Sequence, residues 1–339
     1  MSEPSVSALV LNYDGRALLD TALPSLLAQT YSNVTITVID NGSSDGSAAY
    51  VRERWPSIEV LELPVNVGVA AALNRGVEVA RGELVALLNN DIELEPDWLE
   101  HLVAALDEHP TAASSSGKLL RFYERDVIDA AGDGLRWSGA AINRGNGERD
   151  EGQYDVADEV LTACAGAALY RQTALAEVGP FDEDFYAYLE DVDWGLRAQL
   201  LGYGSRYVPA AVGYHMRGAT TGKQKPRYRR PQRRNQLWLL LKNYPTRALL
   251  VHAPEIVLLN AGVFVQDLLD GVISATLRGW LDAVRGLPKI LRKRRAIQGS
   301  RRVGLERLNA LVIPEPWARG SLRDRVRATI ATAAPIFKR

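Results

Sequence analysis

The apolar positions of the first 110 residues alternate between two periods. SALVLNY (7 to 13) is a short continuous apolar run, GRALLDTALPSLLAQ repeats its apolar residues at helical spacing, and VTITVID (34 to 40) is β-branched and stops at a turn cluster, NGSSDGS. The same reading predicts a helix over 46–54, a strand over 58–64 (IEVLELP), a helix over 69–80 (VAAALNRGVEVA) and a strand over 83–91 (ELVALLNND). Strands alternating with helices imply an α/β fold with a parallel, doubly wound sheet. Ligands of such sheets bind at the carboxyl ends of the strands, so the polar residues that end each strand are the first candidates for chemistry.

Periodicity weakens over 113–160, which predicts irregular loops or a short hairpin over the sheet. A second ordered block runs from LTACAGAALYRQTALAEVG through YLEDVDWGLR (188 to 197) to SRYVPAAVGYH. The chain then reads as basic and turn-rich to 235, and as helical beyond it, with apolar stripes and basic clusters such as KILRKRR (289 to 295). The expected division is a catalytic domain over 1–235 and an amphipathic helical region over 236–339.

Composition changes this picture in two ways. A length of 339 residues and 47% hydrophobic residues permit one large domain or two moderate ones, and a lone cysteine, Cys164, excludes an internal disulfide. With an N-terminus that lacks the basic and long apolar regions of a signal peptide, a cytoplasmic setting is expected. The net charge of -1 hides an asymmetry: residues 214–339 carry 26 Lys+Arg against 7 Asp+Glu, and the remainder 14 against 34. An acidic body with a basic tail points to an anionic partner for the tail, nucleic acid or a membrane surface.

Three strand ends and one charged run carry the candidate chemistry. Asp40 and Asn41 end the second strand, where a carboxylate can accept hydrogen bonds from a nucleobase imide; the structural alternative is an Asx turn. Asn89, Asn90 and Asp91 follow a fully apolar strand, and Asp91 is a reasonable oxygen ligand for Mg²⁺ or Mn²⁺ against a departing diphosphate. In YLEDVDWGLR a helix would put Glu190, Asp193, Trp194 and Arg197 on one face, with Asp193 and Arg197 paired, and turn Asp191 about 100° away. A carboxylate of raised pKa beside an acceptor hydroxyl is what glycosyl transfer to an alcohol needs. His215, with Arg217 and Lys223 near, could ligate the same metal or contact the diphosphate.

VLNYDG, VIDNGSSDGS, NVGVAAALNRG, LLNND, GAALYR, FDEDFYAYLEDVDWGLR and YHMRGATTG, in this order and spacing, resemble the family 2 glycosyltransferases of the GT-A fold. The likeness is greatest to the branch of bacterial rhamnosyltransferases and related galactofuranosyl- and hexosyltransferases, and it covers roughly residues 5 to 240. The resemblance implies a Rossmann-like GT-A domain with a helical, basic C-terminal extension. It implies that Asp40 binds the base, with Asn12 and Asp14 beside it, and that Asn66, Arg75 and Asn90 line the nucleotide pocket. Asp91 would be the carboxylate of the metal motif, with His215 as a second ligand. Gly166 and Ala167 would border the acceptor, with Trp194 a further candidate there whose favoured role is packing. Asp191 would be the general base and Glu190 its orienting neighbour. The family's metal motif is often Asp-x-Asp, and here Asn89 stands at its first position.

The expected reaction is inverting transfer of a sugar, rhamnose from dTDP-rhamnose first, from a dTDP- or UDP-linked donor to a saccharide or polyprenyl-linked acceptor. UDP-galactofuranose, UDP-hexoses and GDP-mannose are alternatives. The basic amphipathic tail predicts peripheral contact with the inner face of the cell membrane, with a packed subdomain or a homo-oligomer interface as alternatives. A dinucleotide oxidoreductase would need G-x-G-x-x-G after the first strand, and NYDGRALL has one glycine. Nucleic-acid binding through the tail would leave the acidic strand ends without a role, so no nucleic-acid partner is expected.

Overall fold

The computed structural model describes residues 3–217 and 225–315; Lys223 lies outside the described residues. The chain divides into two compact units, one of Met1–Asp133, Asn143–Ala198 and Gly202–Thr220, the other of Gly134–Ile142, Gln199–Leu201 and Thr221–Arg339.

The first unit is built on β1 (Val6–Asn12), β2 (Val34–Asp40), β3 (Glu59–Glu62) and β4 (Leu84–Asn89), with α1 (Arg16–Leu27), α2 (Ser47–Arg54) and α3 (Val69–Val79) between them. After β5 (Ile92–Leu94) and α4 (Trp98–Glu108) the chain runs through β6 (Ala112–Arg121), β7 (Glu124–Ala131), β8 (Asp133–Leu135), β9 (Ala141–Asn143), β10 (Asp158–Val160) and β11 (Ala167–Arg171). β8 and β9 form a separate two-stranded sheet, with an isolated bridge from Asp133 to Thr162, and fall mostly in the second unit. Then follow α5 (Gln172–Val178), α6 (Glu190–Leu200) and β12 (Gly204–His215). The main sheet has the order β10-β12-β6-β11-β4-β1-β2-β3. β3, β2, β1 and β4 are parallel, while β11 runs antiparallel between β4 and β6. The chain order reverses between β1 and β4, which puts the topological switch point, and the expected binding region, at the ends of those two strands.

Strands covered on both faces must be apolar throughout, and β1 is buried at every residue. Val6, Ala8 and Val10 pack on one side with Leu19, Leu23, Leu99 and Leu102 from α1 and α4. Leu9 and Leu11 pack on the other with Ala70 and Leu73 of α3 and Ala198 of α6. The four strands and three helices expected over the first 91 residues form as predicted. Residues 113–160 differ, because they contain β6, a ten-residue strand in the middle of the sheet. Its serines hid it: Ser114 Oγ bonds Ser205 Oγ at 2.9 Å and Ser115 Oγ donates to the Leu102 carbonyl, so two of its three buried serine hydroxyls are satisfied, while Ser116 Oγ has no hydrogen-bond partner among the described residues.

Trp194, expected at the acceptor, is a core residue. It is 1% exposed, lies edge-on to Tyr170 at 5.2 Å and donates its indole N–H to the Gly179 carbonyl at 3.0 Å. The helical spacing that put it beside Asp193 and Arg197 also turns it inward. Trp194→Ala is therefore expected to cost about 3–5 kcal/mol of stability, read by denaturant unfolding, with the acceptor KM of the folded fraction unchanged.

The second unit contains α7 (Lys225–Asn243), α8 (Thr246–Val251), α9 (Ala253–Leu269), α10 (Ile273–Arg285), α11 (Leu287–Ser300) and α12 (Leu305–Leu311). Its interior holds Leu239, Tyr244, Leu259, Val263 and Ile290, and a buried ion pair in which Arg233 donates to Asp267 at 2.7 Å. Among the described residues no helix is long and apolar enough to cross a membrane.

Candidate active site

Parallel pairing aligns Asn12 with Asp40 at the ends of β1 and β2, and the turn after β4 brings Asn90 to the same place. The three are buried and linked: Asn90 donates to Asn12 Oδ1 at 2.6 Å, and Asn12 donates to Asp40 Oδ1 at 3.1 Å. Ser43 also donates to Asp40. Asp14, in the left-handed region at φ 47°, accepts from the Ser44 backbone N–H at 2.6 Å and so clamps the β1 loop to the β2 loop. Gly15 is required here, since a Cβ would stand 2.0 Å from Asn90 Nδ2. Asn66 joins the neighbouring loop, its Oδ1 accepting from Gly68 N at 2.9 Å and from the Tyr186 hydroxyl at 3.2 Å. Arg75 is not brought to this group. It is exposed on α3 and pairs with Glu78 at 2.7 Å, whereas its neighbour Asn74 faces inward and donates to the Phe181 carbonyl.

Asp91 and His215, the two residues expected at the metal, are brought together. β12 runs antiparallel to β5, placing His215 opposite Ile92, and its Nε2 lies 3.4 Å from Asp91 Oδ2. Asp129 of β7 was not foreseen: its Oδ2 stands 2.7 Å from His215 Nδ1, and its Oδ1 is 2.9 Å from Arg217 Nε. Burial disfavours the imidazolium, but the hydrogen bonds and charges of Asp129 and Asp91 outweigh it and hold the ring pKa up at about 9.

The carboxylates of α6 stand at the helix start, behind three left-handed residues, Tyr186, Tyr188 and Leu189, with φ of 63°, 71° and 68°. Non-glycine residues keep such conformations only where their surroundings impose them, and such strain clusters at functional sites, which makes the segment a candidate one. Asp191 accepts from the Val192 N–H at 2.8 Å and from the Ala165 N–H at 3.4 Å, tying it to the loop before β11. Desolvation raises its pKa despite those bonds. Glu190 is buried beside it, one oxygen without a hydrogen-bond partner, and burial together with the Asp191 charge pushes its carboxyl up to about 8. Asp193 instead makes the foreseen pair with Arg197, at 3.0 Å. Gly166 lies at the strand ends, its carbonyl accepting from Asn89 N at 2.8 Å. Ala167, expected at the acceptor, is 2% exposed and packed in the core, because β11 alternates its side chains between two covered faces.

Glu190 sets a pH dependence of stability. With its folded pKa above the unfolded value, the folded state binds the extra proton, so stability is full below about pH 4.5 and falls as pH rises towards about 8. Glu190→Gln should flatten most of that fall and leave the protein more stable than wild type at pH 8, measured by unfolding at pH 5 and pH 8.

Asp133 and Cys164, also unforeseen, bring ligand atoms within 4.8 Å of those of Asp191. The thiol, raised well above its usual pKa by burial, is a poor partner for Mg²⁺ or Mn²⁺, which prefer oxygen. Asp91 with His215 suits those ions better: a carboxylate and an imidazole, 3.4 Å apart, approach the separation of adjacent ligands in an octahedral shell. Asp129 on the far nitrogen fixes the ring so that Nε2 faces Asp91.

The sequence profile of glycosyl transferase family 2 matches residues 7–179, the segment holding Asn12, Asp40, Asp91 and Gly166. The chain belongs to that family. It is a glycosyltransferase with a Rossmann-like GT-A fold and a helical C-terminal region. An N-acetylglucosaminyl-diphospho-decaprenol L-rhamnosyltransferase of Mycobacterium tuberculosis is 27% identical over 242 residues, 63% of this chain and 77% of the relative. The glycosyltransferase AglE of Haloferax volcanii is 25% identical over 246 residues, 70% of this chain and 75% of the relative. In structure the chain is similar to the mannosyltransferase PcManGT of Pyrobaculum calidifontis, solved with GDP-Man and Mn²⁺. The TM-score is 0.56 at 17% identity, over 99% of this chain and 87% of that one. GalNAc-T7, solved with UDP, GalNAc and Mn²⁺, gives 0.56 at 15% identity, over 70% and 48%.

Proposed function

We propose that the first unit is an inverting, metal-dependent transferase that moves rhamnose from dTDP-rhamnose to a hydroxyl of a polyprenyl-linked glycan in cell-envelope polysaccharide synthesis. Asp191 carries the reading: a desolvated carboxylate fixed at a helix start, joined by the 164–166 loop to the strand ends where a family 2 domain binds its donor. It would take the proton of the acceptor hydroxyl as that oxygen attacks the anomeric carbon in line, so configuration inverts. Glu190, largely protonated at neutral pH, adds no second negative charge beside the base. Asp40, with Asn12 and Asn90 behind it, would bind the base, and Asp14 and Asn66 would shape the pocket. Asp91 and His215 would hold Mg²⁺ or Mn²⁺, which when bound neutralises the departing diphosphate.

The donor and acceptor rest on the rhamnosyltransferase named above, whose name gives a rhamnosyl donor and a decaprenyl-diphosphate-linked acceptor. Such acceptors are embedded in lipid, so this reading puts the protein in the cytoplasm at the inner face of the cell membrane.

The test is nucleoside diphosphate release from dTDP-rhamnose, UDP-galactofuranose, UDP-hexoses and GDP-mannose, with Mg²⁺, Mn²⁺ or EDTA, and with or without a polyprenyl-diphosphate-linked saccharide. Release from dTDP-rhamnose alone, dependent on metal and acceptor, with an inverted anomeric centre by NMR, is the expected result. Release from another donor reassigns the sugar. A folded protein that releases diphosphate from none of them overturns the reading.

A further inference from the structure

The second unit wears its amphipathicity outward. A surface helix normally turns its apolar stripe to the core, yet the exposed positions of α9 carry no charge, and Val257, Leu258, Ala261, Phe264, Val265 and Leu268 recur among them at helical spacing. Leu269, which ends the stripe, is 77% exposed and Val257 67%. The inward side of α9 already packs with Leu259 and Val263, so the outer stripe is a second apolar face. Phe264 stacks on Trp280 of α10 at a centroid distance of 6.1 Å, and α10 continues the surface with exposed Leu277, Leu281 and Val284. A continuous apolar surface of this extent marks an interaction site.

The other half of the surface is cationic. A cavity of about 420 Å³ is lined by Thr246, Arg247, Arg294, Arg295, Gln298 and Arg301. Arg294 forms its fixed wall, donating to the Leu241 and Tyr244 carbonyls at 2.6 Å each and to Thr246 Oγ1 at 2.9 Å. Arg247, Arg295 and Arg301 are exposed and form no ion pair with any described residue. Helical spacing connects the two halves. Leu250, 72% exposed, and Val251 stand three and four residues beyond Arg247 on α8, and exposed Leu291 stands four before Arg295 on α11.

We propose that α8 to α11 dock on an anionic lipid bilayer, the apolar stripes of α9 and α10 entering the acyl boundary and the arginine cavity taking a phosphodiester headgroup. Charge decides the occupant: guanidiniums without acidic partners beside uncharged apolar stripes match the combined anionic and apolar surface of an acidic lipid bilayer. The surface rests on its own observations and is independent of which sugar is moved.

The test is co-sedimentation of the full-length protein with vesicles of phosphatidylcholine alone or mixed with phosphatidylglycerol. Binding at least about tenfold tighter to the anionic vesicles is expected, weakening as salt rises. The triple variant R247E/R295E/R301E should lose the preference for anionic lipid. V257S/V265S/L269S should lose binding to both vesicles. Neither should alter diphosphate release with a water-soluble acceptor, which also reports that each variant is folded. Equal binding of wild type and variants would overturn the proposal. So would binding of inorganic phosphate or glycerophosphate without vesicle binding, which would reassign the cavity to a free anion. A dimer that dissociates on the apolar substitutions, seen by sedimentation velocity without vesicle binding, would assign the face to a second copy.

Discussion

Asp191→Asn is expected to lower turnover by about 10³-fold while leaving the affinity for the nucleotide sugar unchanged within a factor of about two. The substitution keeps size and shape, and the new amide oxygen can still accept from the Val192 N–H, so the start of α6 should remain in place. What disappears is the carboxylate lone pair that takes the acceptor proton in the proposed reaction. The base also loses its tuning: desolvation raises the Asp191 pKa and so strengthens it as a proton acceptor, and no neutral amide can substitute. Single-turnover release with and without acceptor checks the assignment. A variant that retained a tenth or more of wild-type turnover would remove Asp191 as the base, and one that also lost donor affinity would show that it holds structure instead. Glu190→Gln is the control on the same helix. As Glu190 is largely protonated already, turnover at pH 7 should change by less than about tenfold.

What could be read from the sequence follows from whether the signal was local. Asp40, Asn90 and Asp91 stood out because an apolar strand announces its own end, and a parallel sheet gathers such ends in one place, whereas Asn12 was singled out only through the family resemblance. Asp129 was not, because its partner His215 lies 86 residues away and meets it through β7, a strand hidden in a stretch of weak periodicity. Asp133 and Cys164 escaped for the same reason, their proximity to Asp191 arising from three separate segments. Ala167 and Trp194 illustrate the converse: each was a candidate at the acceptor and each is buried. Both adjoin motif residues in sequence, but a strand alternates faces and a helix turns about 100° per residue, so a neighbour of a functional residue is often a core residue. The tail showed apolar stripes in sequence, yet only packing reveals that α9 has one such stripe inside and another outside.

The Asp91, His215 and Asp129 arrangement separates ligand from support. On the proposed reading Asp91→Ala removes an oxygen ligand, so turnover should fall by about 10²–10³-fold at every metal concentration, and EDTA should do little further harm to the residual rate. Asp129→Asn touches no proposed metal position. It removes the negative partner of His215 Nδ1 and the ion pair to Arg217, so the ring is held less firmly with Nε2 towards Asp91. The expected result is a rise of about 10–100-fold in the metal concentration giving half-maximal rate, with near wild-type turnover once metal is saturating. A merely structural role for Asp129 would lower turnover and stability together, and saturating metal would not restore the rate. Titrating Mn²⁺ against both variants therefore distinguishes a ligand, a positioning residue and a fold element in one measurement. Full activity of Asp91→Ala in EDTA would show that Asp91 and His215 pair for structure alone, leaving the diphosphate to be neutralised by cations of the chain itself, such as Arg217, which pairs with Asp129.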